Sequence, residues 1–167
     1  SNIVPEDCME VEISVNQTNI LFEFDSYRLI CRMIEGRYPN YRVVIPQKQP
    51  NRAVLKKADI VSALKRVSVF CDESSSLVVL KFDSDSLKIA AHDLDFSKSA
   101  EETITLQSGC NIEIGFRSSF IIEMVNNIPS EDIAITMSDP SKASIFTRCD
   151  EEVRSLTYLL MPLSINY

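Results

Sequence analysis

Apolar and polar positions alternate along most of this chain, and the alternation lengthens to a helical period at two places. Residues 9–15 (Met-Glu-Val-Glu-Ile-Ser-Val) alternate as a half-buried strand does. Strand-like runs follow at 19–24 and 27–34, parted by Asp25-Ser26, and again at 52–56. Over 58–70 the period changes: Ile60, Val61, Leu64, Val67, Ser68 and Phe70 fall near helical spacing, with Asp59 in the first turn, where an acid suits the helix dipole. Strands are predicted to resume at 77–82, 86–92 and 96–106, with Asp and Ser at the turns. Residues 111–116 alternate as a strand, and 118–127 read as a second helix with Phe120, Ile121, Met124 and Val125 on one face. Strands at 132–137, 143–148 and 153–161 close the pattern.

The order strand–helix–strand–strand–strand therefore occurs twice, over 52–106 and 111–161, which predicts an internal duplication. A trace of it survives in sequence. Residues 127–135 (Asn-Ile-Pro-Ser-Glu-Asp-Ile-Ala-Ile) are similar to residues 2–11 (Asn-Ile-Val-Pro-Glu-Asp-Cys-Met-Glu-Val). On that match, residues 1–35 are expected to be the last three strands of a third copy whose first strand and helix are missing, as in a truncated chain. Two further stretches stand out, Gly36-Arg-Tyr-Pro-Asn-Tyr-Arg-Val-Val-Ile-Pro46 and Thr157-Tyr-Leu-Leu-Met-Pro162. Each is an apolar, strand-like run closed by proline, which has no N–H to give a ladder. The first suits a stiff connector on a surface. The second keeps apolar groups near a chain end, so it is expected to pack on the core or on a partner.

Composition narrows the function class. The chain has 167 residues, 45% apolar and 25% charged, which fits a globular protein of one domain and a remnant. Three glycines leave almost no room for a Gly-rich phosphate loop. No apolar run approaches the roughly 18 residues of a membrane span, and the acidic start shows no signal peptide. Ser1-Asn2 in place of methionine fits an expression scar on a cut-down fragment. Cys8, Cys31, Cys71, Cys110 and Cys149 are odd in number, far apart and without a CxxC pair. They are read as reduced, mostly buried thiols of a cytoplasmic protein rather than zinc ligands or a disulfide framework. The net charge of −7 is uneven. Residues 47–66 carry six bases (Lys48, Arg52, Lys56, Lys57, Lys65, Arg66) against Asp59, or +5, whereas 67–167 carry seven bases against sixteen acids, or −9. A basic segment on an acidic body can still face nucleic acid, because the local field outweighs the total.

The layout and its motifs resemble the bacterial DNA polymerase III beta subunit, the processivity sliding-clamp family. Residues 35–46, running Glu-Gly-Arg-Tyr-Pro-Asn-Tyr-Arg-Val-Val-Ile-Pro, are similar to that family's connector between middle and last domains. Asn111-Ile-Glu-Ile-Gly-Phe116 and Tyr158-Leu-Leu-Met-Pro162 are similar to parts of its last domain. The resemblance implies an α+β DNA-clamp fold: a pseudo-twofold domain of two strand–helix–strand–strand–strand units with the helices on one side. Residues 1–46 would then be the rear of the middle domain plus the connector, and 47–167 the C-terminal clamp domain. The implied function is that of a dimeric ring around double-stranded DNA, indifferent to sequence, which tethers the replicative polymerase. It would also dock the clamp loader and other clamp-binding-motif proteins. No catalysis, cofactor or membrane is implied.

The resemblance also assigns residues. A hydrophobic peptide groove would use Pro39, Val43, Val44, Ser141, Ala143, Leu159, Leu160, Met161, Pro162 and Leu163. Aliphatic walls, an adaptable Met and a rigid Pro suit apolar anchors of a partner segment. Two departures from the commonest family pattern, Val43 in place of an Arg and the tail Leu163-Ser-Ile-Asn-Tyr167, would alter the preferred peptide. The DNA-facing set would be Lys56, Lys57, Lys65, Arg66 and Arg117, because Lys and Arg on helices meet phosphate loosely and without reading bases. The ring seam would use Val69 and Phe70 with Glu101 and Glu102 nearby.

Other chemistries fit less well. Ser62-Ala-Leu-Lys65 has the SxxK spacing of penicillin-binding proteins, but the Ser-Asp-Asn and Lys-Thr-Gly partners are absent. His92 is the single histidine, and no GxSxG accompanies it for a Ser-His-Asp triad. Asp83/Asp85 and Asp93/Asp95 flank turns and read as turn formers rather than metal ligands. The alternative to a clamp is a β-rich peptide- or ligand-binding domain that does not act on DNA.

Overall fold

A computed structural model describes residues 8–38, 40–149 and 156–165. The chain divides into two compact units, Ser1–Asn40 and Tyr41–Tyr167. The first is an antiparallel meander of β1 (Glu12–Val15), β2 (Asn19–Phe24) and β3 (Tyr27–Arg32). Asn16 shapes the first turn, its Oδ1 accepting from the amides of Thr18 (2.9 Å) and Asn19 (2.8 Å). Asp25 turns the second hairpin with φ 48°, a left-handed conformation that Asp tolerates. The pairs Ile13↔Phe22, Val15↔Ile20, Phe22↔Leu29, Ile20↔Cys31 and Phe24↔Tyr27 gather most of the apolar side chains on one face, with Leu21↔Ile30 on the other. The strand expected over 9–15 is shorter than its alternation implies. Its partner β2 runs only to Phe24 before turning back at Asp25, so in this register Val11 faces the last residue of β2 and Met9 lies past its end.

In the second unit, α1 (Tyr41–Val44) precedes β4 (Asn51–Lys56), α2 (Lys57–Val67), a 3-10 turn (Ser68–Phe70), β5 (Leu77–Phe82), β6 (Ser86–Asp93) and β7 (Lys98–Thr105). Then come β8 (Ile112–Arg117), α3 (Ser118–Asn126), β9 (Asp132–Met137), β10 (Ser144–Arg148) and β11 (Tyr158–Leu160). The strands form two four-stranded sheets, in the orders β11-β10-β9-β4 and β7-β6-β5-β8. Each repeat thus keeps its last three strands in one sheet and gives its first strand to the sheet of the other repeat. The exchange is symmetric down to single hydrogen bonds. Lys57 N donates to Glu131 O and Ser118 N to Ser76 O, both at 2.8 Å, each joining the start of a helix to the start of a strand of the sister repeat. Isolated bridges Val54↔Ser108 and Gly115↔Leu163 close the two seams at matching positions. The doubled order in the sequence is therefore a pseudo-twofold domain.

The helices pack against each other. Ile60, Ala63, Leu64 and Val67 of α2, and Ile121 and Val125 of α3, are fully or almost fully buried. They join Phe82, Leu80, Ile89, Ile133, Ile135 and others in one core. Phe116 of β8 and Phe146 of β10 meet edge-to-face, 6.0 Å between centroids, so an aromatic pair links the two sheets. Lys57 Nζ donates to Ile128 O (2.8 Å) just past the end of α3, a second tie between the helices.

Several details differ from the sequence expectations. Residues 41–44 are one helical turn, not a strand. No strand pairs with them among the described residues, so the backbone there closes on itself. The first helix stops at Val67 and tightens into the 3-10 turn, which leaves Phe70 39% exposed rather than on the apolar face. On α3, Phe120 is 54% exposed, because Ile121 and Val125, one turn apart, define the inner face and Phe120 lies beside it. β7 begins at Lys98 because Asp93, buried at the end of β6, accepts from Phe96 N (3.1 Å) and Ser97 takes φ 52°. Of the strand expected over 153–161, residues 153–155 lie outside the described residues and 158–160 are strand. The five cysteines are free and half-buried rather than mostly buried. Burial raises the Cys71 and Cys110 thiols above their ordinary values. Among the described residues, no helix is long and apolar enough to cross a membrane.

Candidate functional site

Three surfaces carry the candidate residues, all but Pro39 in the unit Tyr41–Tyr167. The first is the helix pair. Lys56 and Arg117 occupy matching positions, each the last residue of a first strand and the residue before a helix, with nearly the same backbone (φ −73°, ψ 130° and φ −71°, ψ 122°). Neither helix start has a side-chain cap, and α3 has no acid in its first turn. A cation beside the positive end of a helix dipole adds nothing to helix stability; together with that dipole it favours an anion. The Arg117 guanidinium also lies 5.6 Å from the centre of the Phe120 ring. Lys57 is engaged with Ile128 O, as above. Lys65 and Arg66 lie in the last turn of α2, roughly 13 Å along the axis from Lys56 and Lys57.

The second surface is the outer strand β7 and the 3-10 turn beside it. Val69 is 77% exposed and Phe70 39%. Glu101 and Glu102, adjacent in sequence, fall on opposite faces of β7, as strand geometry requires. Glu101 pairs with Lys88 (2.7 Å), whereas Glu102 accepts from Arg66 Nε (3.0 Å) and Nη2. These hydrogen bonds hold the Glu102 carboxyl below the ordinary carboxylate value and raise that of Arg66. One ion pair thus joins a residue expected at DNA to one expected at the seam. It is solvent-exposed on the Arg66 side and fixes geometry more than it adds stability.

The third surface is the edge where β11, the β9–β10 turn and the segment after α1 come together. Register pairs Leu160 with Ser144 and Leu159 with Ile145. Gln49 Nε2 donates to Ala143 O (2.8 Å), and Gln49 Oε1 accepts from Thr136 Oγ1, which holds the segment following Val43 and Val44 against the same turn. Ser141 shapes that turn: its N (2.9 Å) and Oγ (2.5 Å) both donate to Asp139 Oδ1. With Lys142 they pull the Asp139 carboxyl down to about 2. Ala143 is buried, Leu159, Leu160, Pro162 and Leu163 are half-buried, and Met161 is 56% exposed. Leu163 N donates to Gly115 O (2.8 Å), which pins the tail to β8. Val43 and Val44 are exposed on α1. Pro39 lies outside the described residues.

Gln49 and Phe120 were not among the sequence candidates. Gln49 reads as loop, and only the long-range pairing reveals its role. Phe120 reads as core because its spacing fits a helix face until the inner face is known. Ser62 and Lys65 are both exposed on α2, and His92 is exposed on β6 opposite Ser99. Asp93 serves the turn it was expected to form. Among the described residues, no group of three His, Cys, Asp or Glu side chains is placed to hold a metal ion.

Residues 42–164 match the family described as DNA polymerase III beta subunit, C-terminal domain. The beta sliding clamp of Synechocystis sp. is 28% identical over 157 residues, covering 93% of this chain and 40% of that protein. The beta sliding clamp of Escherichia coli K12 is 25% identical over 156 residues, covering 93% and 42%. The crystal structure of a sliding clamp (DNA polymerase III subunit beta) from Bartonella birtlesii, bound to griselimycin, superposes with a TM-score of 0.81 at 26% identity, covering 93% of this chain and 41% of that one. The chain spans about two-fifths of the length of the curated relatives it matches.

Proposed function

Because the chain belongs to the DNA polymerase III beta subunit family, we propose that it supplies the last domain of a replicative sliding clamp, with residues 1–46 contributing the rear of the middle domain and the connector. In this reading the protein acts as a dimeric ring, without catalysis, that encircles double-stranded DNA and keeps the replicative polymerase on its template. The observation that carries the reading is the pair of side-by-side helices, each preceded by a cation at a symmetry-matched position, Lys56 and Arg117.

The physics of sliding favours this arrangement. A ring holds DNA by topology, so its inner surface needs only diffuse attraction to phosphate. Lys56, Lys65 and Arg117 supply it as exposed or half-exposed cations that read no base edges. Lys57 and Arg66 contribute less directly, since Ile128 and Glu102 engage them. The seam would be formed by β7 and the 3-10 turn. Val69 and Phe70 would be covered by the partner subunit, and the Arg66–Glu102 pair would set the angle of the turn against the strand.

Partner proteins, the polymerase and clamp loader among them, would dock an extended segment with a Gln and apolar anchors along Val44, Leu159, Met161 and Pro162. Each buried aliphatic anchor contributes roughly 1.5–3 kcal/mol. Met161→Asp would leave a desolvated charge under the peptide and abolish binding, whereas Lys98→Ala would leave it unchanged; isothermal titration of such a peptide against both variants reads the difference. Equal affinity for wild type and Met161→Asp would mean the groove is elsewhere. For DNA, fluorescence anisotropy with two duplexes of unrelated sequence is expected to give weak, equal binding that fades as salt rises. Tight binding in high salt, or discrimination between the duplexes, would overturn the clamp reading.

A further inference from the structure

The outer face of the sheet β7-β6-β5-β8 should be polar, since its inner face already carries Val78, Leu80, Leu87 and Ile89. It is not. Leu77 and Val79 of β5 are half-buried on that outer face, and they floor a cavity of about 500 Å³. Leu94 and Ile165 wall it, with His92 on the β6 side and the carboxylates of Asp72 and Asp95 at its rim. No residue of the groove candidates lines it.

Each wall is held in place. Leu94 is 82% exposed, yet it stands on a turn fixed by the buried Asp93 carboxylate on Phe96 N and by Ser97 at φ 52°. Asp72 is fixed by Ser74 Oγ (2.6 Å) and Ser75 N (2.8 Å), hydrogen bonds that keep it ionised. Ile165 follows Leu163, whose amide is pinned to Gly115 O. Further along the face the charges are matched: Lys81 is directly across from Glu113, and Lys88 pairs with Glu101. Among the described residues that line the cavity, no lysine or arginine stands opposite these carboxylates. The size suits a side chain or two, and the charge excludes phosphate.

We infer that this cavity is a second docking site, for a segment of a partner protein that places an aliphatic side chain against Leu77 and Val79 and an adjacent lysine or arginine at Asp72 and Asp95. It goes beyond the proposed groove and does not depend on it, since the residues are different.

The test is a ¹H–¹⁵N NMR titration of the whole chain with the capped tetrapeptide Gly-Leu-Arg-Gly and its counterpart Gly-Leu-Glu-Gly. The arginine peptide shifts the amides around Leu77, Val79, His92 and Ile165. The glutamate peptide binds weaker by about threefold to fivefold, the scale of an exposed ion pair. Leu94→Ser, at an exposed turn where folding is not at stake, weakens the arginine peptide by about tenfold. Asp95→Lys removes the preference for arginine, and Met161→Asp changes none of these results. Absence of binding, shifts centred elsewhere, equal affinity for the two peptides, or indifference to Leu94→Ser would each overturn the proposal. So would self-association in sedimentation velocity that Leu94→Ser abolishes, because the occupant would then be a second copy of the chain.

Discussion

The meander β1-β2-β3 and the meanders β5-β6-β7 and β9-β10-β11 are the same chain pattern in different company. In the larger unit each meander receives a fourth strand from the sister repeat, and a helix pair shares its core. The facing side chains Val78, Leu80, Ile133 and Ile135 are at most 0% exposed as a result. Among the described residues of the smaller unit, the apolar face has neither addition. Phe24 is its one buried side chain among the described residues, stacked on Tyr27 (5.7 Å), while Ile13 and Val15 stay 55% and 61% exposed. Alternation makes a three-stranded sheet, and what turns it into a domain is the exchanged strand and the helix.

The largest expected effect separates the two units. Leu64→Ala removes a fully buried side chain of α2 and should cost about 2–5 kcal/mol in urea unfolding of the larger unit. Ile13→Ala, on the open face, should cost under about 0.5 kcal/mol. Comparable losses at both sites would break the comparison. Hydrogen exchange sharpens it: amides of β5 and β9 should exchange through opening of the whole larger unit, and those of β1 through local opening.

A smaller effect tests the exchange itself. The two seams match, but Val54 sits at one and Gly115 at the other. A Cβ at Gly115 would come within 2.8 Å of Leu77 Cδ1 and 2.9 Å of Leu163 O. Gly115→Val should therefore destabilise by about 1–3 kcal/mol and free the Leu163 amide to exchange, while the Val54–Ser108 seam keeps its protection. Retained protection at Leu163 would mean that the bridge is not what holds the tail.

These contrasts also mark what the sequence makes legible. Periodicity locates α2 and α3 and nearly every strand, because one buried face per element dictates the spacing of Ile60, Leu64 and Val67 or of Val78, Leu80 and Phe82. The doubled order reveals the repeat. It does not reveal that β4 and β8 change sheets, since strand exchange is a long-range pairing with no local mark. The motif around Met161 and the basic residues beside the helices, on which the proposed groove and DNA contact rest, are readable from residue type and resemblance. That Arg66 is tied to Glu102, Lys57 to Ile128 and Gln49 to Ala143 is not, because each link joins positions far apart in the chain. The cavity beneath Leu94 is hidden for the same reason: β5, a hairpin tip and the tail build it together.

The smallest expected effect is a matter of pH at the β9–β10 turn. Asp139 is held at about 2, below its ordinary 3.8, by Ser141 and Lys142. Its folded value lies below the unfolded one, so its hold on the turn is complete above the ordinary value and fades as pH falls through about 2. Following the Asp139 carboxyl and the Ser141 amide by NMR should give a common midpoint near that value. A midpoint at the ordinary carboxylate value would show that the hydrogen bonds do not bias it.

The central claim is that the symmetry of the larger unit places a cation at each helix start for contact with DNA. The most direct measurement is the salt dependence of duplex binding at low ionic strength, for wild type, Lys56→Gln, Arg117→Gln and the double variant. Each lost phosphate contact removes roughly 0.9 from the log–log slope. The two single variants should therefore be alike and the double variant should lose about twice as much, with no change in preference between duplexes. An unchanged slope in the double variant, or an effect of one position and not the other, would contradict it.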